Sequence, residues 1–283
     1  MARRRPATTH GVAVVDKPAG VTSHDVVGML RRRFGERQVG HAGTLDPDAT
    51  GVLVVAVGKA TRLLRFVETT RKGYPGEVVL GTSTSTLDAA GDVVGSFDMS
   101  AVTLDAARAA VAEHLVGDIE QGPPMVSAIR VDGKRLHELA REGIEVERSA
   151  RPVTIHRFDV VEWAAPGVLA IDVECSAGTY IRTLADDLGR LLGGGAHLRN
   201  LRRTHVGEFT LGEAAPPDEC ALLPVESAVR ALAPVEVDDD AAALIANGRV
   251  LAAWEGDGPW AVFDTSGRLL AVYESFRDGQ AKP

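Results

Sequence analysis

The sequence predicts an α+β fold followed by a small β-rich unit, on three observations. Strand-like apolar runs alternate with amphipathic segments of helical spacing through the first 210 residues. Glycine and proline mark the turns between them. Beyond Pro234 the apolar runs shorten, and turn signals such as Gly256-Asp257-Gly258 separate them as strands. With 283 residues and 45% hydrophobic content, the chain can build one large domain plus a small one around a real core.

Residues 11–16 (GVAVVD) read as a strand, and Lys17-Pro18-Ala19-Gly20 turns out of it. Thr22 and Ser23 suit the N-cap of a helix that carries Val26, Val27 and Leu30 on one face. Residues 52–57 form a buried strand, 60–67 a short helix and 77–80 a further strand. Thr103 caps a helix with Ala106, Ala107, Ala110, Val111 and Leu115 at helical spacing. Residues 120–152 differ: polar, basic and broken by Pro123-Pro124, Gly133 and Gly143, they read as an arm off the core. Strands over 153–163 and 168–175 are joined by Ala165-Pro166-Gly167. An amphipathic helix over 180–192 stops at Gly193-Gly194-Gly195. A Pro- and Ala-rich connector over 214–234 leads to strands at 260–263 and 269–273. No internal repeat is present.

Charge is unevenly shared. Of 39 acidic and 31 basic residues, 13 and 5 lie from Leu211 onward, which leaves 26 of each before it. The net charge of −8 is therefore C-terminal, and local arginine clusters in the neutral remainder can still meet a phosphate backbone. No apolar run approaches the ~20 residues of a membrane helix, and the basic Met1-Ala2-Arg3-Arg4-Arg5-Pro6 lacks the apolar segment of a secretory signal. Cys175 and Cys220 have no metal-ligand spacing and read as reduced thiols of a cytoplasmic protein. The histidines form no zinc pattern, Gly58-Lys59-Ala60-Thr61 is no Walker A loop, and the glycines at 193–195 lack G-x-G-x-x-G. A reaction without metal or cofactor is the expectation.

The most informative stretch is Gly40-His41-Ala42-Gly43-Thr44-Leu45-Asp46-Pro47-Asp48-Ala49-Thr50-Gly51-Val52-Leu53. It places Asp46 on a loop just before a buried strand, where Asp-Pro either starts a turn or presents a carboxylate for chemistry. In Ser176-Ala177-Gly178-Thr179-Tyr180-Ile181-Arg182, a strand runs through a glycine turn into a helix. There Arg182 is either a surface residue or a fixed guanidinium able to hold a carboxylate.

These blocks resemble the TruB family of bacterial tRNA pseudouridine synthases, which isomerise uridine 55 in the TΨC loop. Every fixed position of the family's G-H-x-G-x-L-D-P-x-A-[ST]-G-x-L is met. Asp16-Lys17-Pro18 with Gly20 and Thr22-Ser23, Lys72-Gly73-Tyr74, Gln121-Gly122-Pro123-Pro124-Met125-Val126-Ser127-Ala128, G-T-Y-I-R and His197 to Arg203 follow in the family's order over nearly the whole chain. The resemblance implies a mixed, mainly antiparallel sheet with flanking helices and a central cleft, then a small PUA-like domain. It implies a catalytic domain over 1–212, with an arm at about 120–152, a connector over 213–233 and a C-terminal domain over 234–283.

It further implies that Asp46 is catalytic, that Arg182 pairs with it and keeps it ionised, and that Tyr74, Tyr180 and Leu201 line the uracil pocket. Tyr74 is also a candidate acceptor of the C5 proton, and His41 the wedge that replaces a flipped base. Arg130, Lys134, Arg141, Arg202 and Arg203 are expected to contact RNA. The partner is the T-arm of tRNA, with no cofactor, metal or membrane, for a monomer in the cytoplasm. Val126, Arg130, His137 and Ser85 depart from the family pattern, in the arm and a nearby loop. Two further readings are a guide-RNA-dependent relative, disfavoured because residues 120–152 supply the arm it lacks, and an RNA-folding module with secondary catalysis.

Overall fold

The computed structural model describes residues 7–127, 130–131, 134–135, 144, 146 and 148–283, with the side chains of 130, 131, 134 and 135 left aside. Strand β1 (Gly11–Lys17) leads through α1 (Ser23–Phe34) to β2 (Val39–Ala42) and β3 (Thr50–Val57). A 3₁₀ turn (Gly58–Leu63) and α2 (Leu64–Glu68) precede β4 (Lys72–Leu80), β5 (Thr82–Thr84), β6 (Val93–Ser96) and α3 (Leu104–His114). Next come β7 (Gly117–Gln121) and the paired β8 (Arg130–Val131) and β9 (Lys134–Arg135). The hairpin of β10 (Arg151–Ala165) and β11 (Val168–Cys175) feeds α4 (Ile181–Leu191). Four short strands follow: β12 (Ala196–Arg199), β13 (Arg202–Arg203), β14 (His205–Val206) and β15 (Phe209–Thr210). The C-terminal part holds β16 (Ala233–Val237), α5 (Asp239–Ala246), β17 (Leu251–Ala252), β18 (Trp260–Asp264), β19 (Leu269–Ser275) and β20 (Gln280–Lys282).

Two sheets frame the larger part. In the first, β1 and β2 lie antiparallel to β3, and β13 joins β3 in parallel with Arg203 opposite Gly51. The second runs β15-β14-β4-β11-β10-β7, with β12 also on β4. Its pairings are antiparallel, which lets α3 and α4 cover one face over a core that includes Val111, Ile155, Leu169, Leu184 and Leu188. The four-stranded sheet is buried on both faces, so β3 reads as the unbroken apolar run Val52–Val57 rather than an alternation. A third sheet, ordered β16-β18-β19-β20-β17, packs around Trp260 and Tyr273. It meets the larger part through Phe66 and Val229 against Ala261 and Val272.

Helix boundaries follow the capping chemistry. Thr22 accepts from the Asp25 N–H while the Asp25 carboxylate accepts from the Thr22 N–H, and Gly35 ends α1 in the left-handed conformation. Thr103 caps α3 as expected. The structure differs in three places. Gly40 and His41 belong to a strand, and the predicted strand 77–80 begins five residues earlier, at Lys72. The C-terminal unit also contains α5, opened by Asp238 over the Ala241 N–H. Among the described residues, no helix is long and apolar enough to cross a membrane.

Candidate active site

The loop between β2 and β3 is held from three sides. Ser23, at the first turn of α1, accepts from the Leu45 N–H at 2.9 Å and donates to the Leu45 carbonyl at 3.0 Å. Lys17, fully buried at the end of β1, donates to the Pro47 carbonyl at 2.8 Å and the Pro18 carbonyl at 2.9 Å. The Gly20 N–H reaches the same Pro47 carbonyl at 3.0 Å, and Leu45 and Ala49 are buried in the core beside Tyr74. Lys17, Gly20 and Ser23 of the N-terminal block thus fix residues 45–47.

Gly51 is required by close approach. Its φ is +98°, and a Cβ there would lie 2.1 Å from the Arg203 carbonyl oxygen. That clearance lets β13 pair with β3 and brings Leu201 and Arg203 to the loop.

Asp46 lines a cavity of about 440 Å³ together with His41, Gly43, Leu45, Lys72, Tyr74, Tyr180, Arg182, Leu201 and Arg203, among others. The cavity lies where β2, the loop after it and β13 of one sheet face β4 of the other and the N-terminus of α4. Arg182 meets Asp46 as a fork, Nε to Oδ2 at 2.9 Å and Nη2 to Oδ1 at 3.1 Å. The Arg182 side chain is only 5% exposed, and Asp46 keeps 39% open to the cavity. The other donors of Arg182 go to the Thr86 carbonyl at 2.9 Å and the Val126 carbonyl at 3.0 Å, and Asp88 lies 3.5 Å from Nη1.

Burial pushes the Asp46 carboxyl above the usual aspartate range; Arg182 opposes the rise, Asp88 adds to it and Lys17 opposes it. The pair limits the rise that burial causes, and its two donors engage the two carboxylate oxygens.

The remaining pocket residues sit as follows. Tyr74 is buried on β4, its hydroxyl hydrogen-bonded to Arg203, and burial raises its pKa, so it is held as a neutral phenol. Tyr180 is the N-cap of α4, and its backbone N–H and carbonyl are both bonded to the buried Gln121 side-chain amide, at 2.7 and 3.1 Å. Its hydroxyl pairs with Ser127, and burial raises its pKa as well. His41 is pushed down, first by burial and then by Arg203, and its buried Nδ1 has no partner among the described residues.

The basic residues separate. Arg203, expected to contact RNA, is 1% exposed, with Nε on the Val52 carbonyl at 2.7 Å and Nη2 on the Gly43 carbonyl at 3.0 Å. It is a wall of the cavity. Arg202 is half-buried and paired with Asp16 at 2.7 Å. Arg141 lies outside the described residues, as do the side chains of Arg130 and Lys134.

Gln121 and Ser127 sit in the arm block, and Lys72 beside Tyr74, but their contacts carry no separate sequence signal. The Thr86 and Val126 carbonyls are backbone groups that any residue supplies.

Three family models cover most of the chain. One described as "TruB family pseudouridylate synthase (N terminal domain)" matches residues 31–181. "tRNA pseudouridylate synthase B C-terminal domain" matches 182–217, and "tRNA Pseudouridine synthase II, C terminal" matches 232–283. A protein of Arthrobacter sp. (strain FB24) named tRNA pseudouridine synthase B is 50% identical, over 96% of this chain and 95% of its own length. One of Corynebacterium aurimucosum with the same name is 48% identical, over 95% and 93%. A solved structure described as "Crystal Structure of a Cbf5-Nop10-Gar1 Complex" superposes with a TM-score of 0.73 at 27% identity, over 95% of this chain and 79% of that one.

Proposed function

The chain belongs to the TruB family of pseudouridylate synthases, and on that premise we propose that it converts uridine 55 of the tRNA TΨC loop to pseudouridine, with Asp46 as the reacting carboxylate. The enzyme is an isomerase: the C1′–N1 bond breaks, the uracil turns in place, a C1′–C5 bond forms, and the proton lost from C5 is balanced by one gained at N1, with no net co-substrate. The observation that carries the role of Asp46 is its two-point fork with buried Arg182 in the wall of the cavity. That fork fixes both carboxylate oxygens in position before substrate arrives, so little reorganisation is left to the reaction itself.

Within the reading, Tyr74, Tyr180 and Leu201 enclose the uracil and keep water from the detached base. Extruding the nucleotide from the folded loop costs a few kcal/mol, and His41 is the side chain that fills the place it leaves. Arg130, Lys134 and Arg141 of the arm, with Arg202, are read as the phosphate-facing cations, which assigns the T-arm as the contact region. We further read residues 1–212 as the catalytic domain, 213–233 as a connector and 234–283 as a PUA-like unit, in a cytoplasmic monomer that works without cofactor.

The test is Asp46→Asn, assayed on unmodified tRNA for binding and for pseudouridine at position 55. Binding kept and product lost is the expected result; product formed at the wild-type rate overturns the role of Asp46. Product appearing at another uridine would keep the chemistry and overturn the site preference.

A further inference from the structure

We propose that Lys72 is a substrate-facing cation that carries the negative charge the uracil acquires when the C1′–N1 bond breaks. The inference rests on the isomerisation proposed above and adds a residue to it. Lys72 opens β4 two residues before Tyr74, is 5% exposed and lines the same cavity. Its ammonium donates to the Glu68 carbonyl at 2.7 Å and the Thr70 carbonyl at 2.9 Å. An ammonium has three N–H groups, and among the described residues the third has no acceptor.

Arg203 stands beside it. A Cβ built on Gly43 would lie 3.3 Å from Arg203 Nη1 and 3.4 Å from Lys72 Cε, so both cations back onto the same glycine of the cavity wall. The other titratable groups facing Lys72 are Cys175 from β11, a thiol that burial raises to about 11, and the exposed Glu68 from α2. Among the described residues, no buried carboxylate pairs with either cation. Buried charge is normally paired, and Asp46 across the cavity is already engaged by Arg182. An uncompensated positive wall is suited to a ligand that becomes an anion.

The reaction makes one. Whether Asp46 joins C1′ or takes a sugar proton, the electron pair of the C1′–N1 bond leaves on N1, and the base is an anion until C5 bonds to C1′; the C5 proton then passes to a base and N1 takes one up, which leaves the product neutral. A preorganised donor aimed at charge that develops only in the reaction lowers the barrier without tightening substrate binding. Burial and then Arg203 bring Lys72 down to about 8, with Cys175 and Glu68 opposing, so its charge is present at neutral pH and lost just above.

The experiment compares full-length Lys72→Met and Lys72→Arg with wild type in single-turnover pseudouridine formation from pH 6 to 9.5, with tRNA affinity and thermal melts measured alongside. Lys72→Met is expected to lose roughly 10²-fold in the single-turnover rate constant, with tRNA affinity kept within about threefold. Wild type is expected to lose rate above pH about 8, and Lys72→Arg, which stays charged, to recover part of the neutral rate and abolish that alkaline loss. If Lys72→Met weakens tRNA binding and leaves the rate intact, the cation serves a phosphate and the inference falls. It falls too if the alkaline loss persists in Lys72→Arg, since Lys17, also near 8, would then be its source. If Lys72→Met does not fold, the pH profile of Lys72→Arg decides alone. An active Asp46→Asn would defeat the underlying reaction, whereas an inactive Asp46→Asn with a fully active Lys72→Met defeats this inference only.

Discussion

Asp46 is a carboxylate whose surroundings work against its charge and whose partner works for it. Because burial raises its pKa in the folded state, the protonated form is the one that folding favours. Its contribution to stability is therefore present below the ordinary aspartate range and is lost as pH rises through the raised value. At neutral pH the ionised side chain is a net cost to the fold. We expect Asp46→Asn to melt at or above the wild-type temperature at pH 7, with the difference shrinking toward pH 4; a clear fall in Tm at pH 7 would show that the Arg182 fork outweighs burial. The activity of the wild type should decline with acid at a higher pH than an ordinary aspartate would dictate, which a rate profile checks. Arg182 differs, since its donors also satisfy two carbonyls. Lys keeps the charge but cannot reproduce the fork, so Arg182→Lys should lose far more turnover than stability, and equal losses would make the residue structural.

At the scale of elements, the first turn of α1 and the start of β3 aim the loop. Ser23→Ala leaves the Leu45 N–H and carbonyl without their partner in a buried place, at a cost of about 1–3 kcal/mol. Gly51→Ala meets both a left-handed φ and the Arg203 backbone, and should cost at least about 2 kcal/mol. Denaturant melts measure both, and turnover should fall further than stability in each because Asp46 is displaced. Much of this was legible in the sequence. The unbroken apolar run of β3, the Thr22 and Thr103 caps and the glycine stop after α4 are local signals, and the structure follows them. The strands β12 to β15 were not legible, because two to four residues have no periodicity and exist only through partners far away, such as Thr50 for Arg202. The helix α5 carried a readable signal, an Asp N-cap before an Ala-rich turn, and was obscured by the strands around it. The identity of the loop came from its motif. The burial of Arg203 was not legible, since an arginine that spends its donors on buried carbonyls looks the same in sequence as one that faces solvent.

Across the whole molecule, the acidic excess lies after Leu211 and leaves the larger part neutral. If the arm and the first 210 residues carry the phosphate contacts, tRNA affinity should fall steeply and linearly with salt on logarithmic axes, and a flat dependence would argue against such contacts. The C-terminal unit is seated on the larger part by Phe66 and Val229 and by an exposed Arg65–Glu274 pair. Phe66→Ala should cost about 3 kcal/mol and open residues 213–233 to proteolysis, while an unchanged digestion pattern would place the main seating elsewhere. The start of the segment read as an arm is joined to the site just as firmly. Gln121 holds both backbone groups of Tyr180, and the Val126 carbonyl shares an Arg182 nitrogen with Asp46. For protein engineering this sets a boundary: an arm transplanted to redirect the enzyme to another RNA must leave Gln121 through Ser127 in place. A graft that replaced them would trade away the chemistry together with the address.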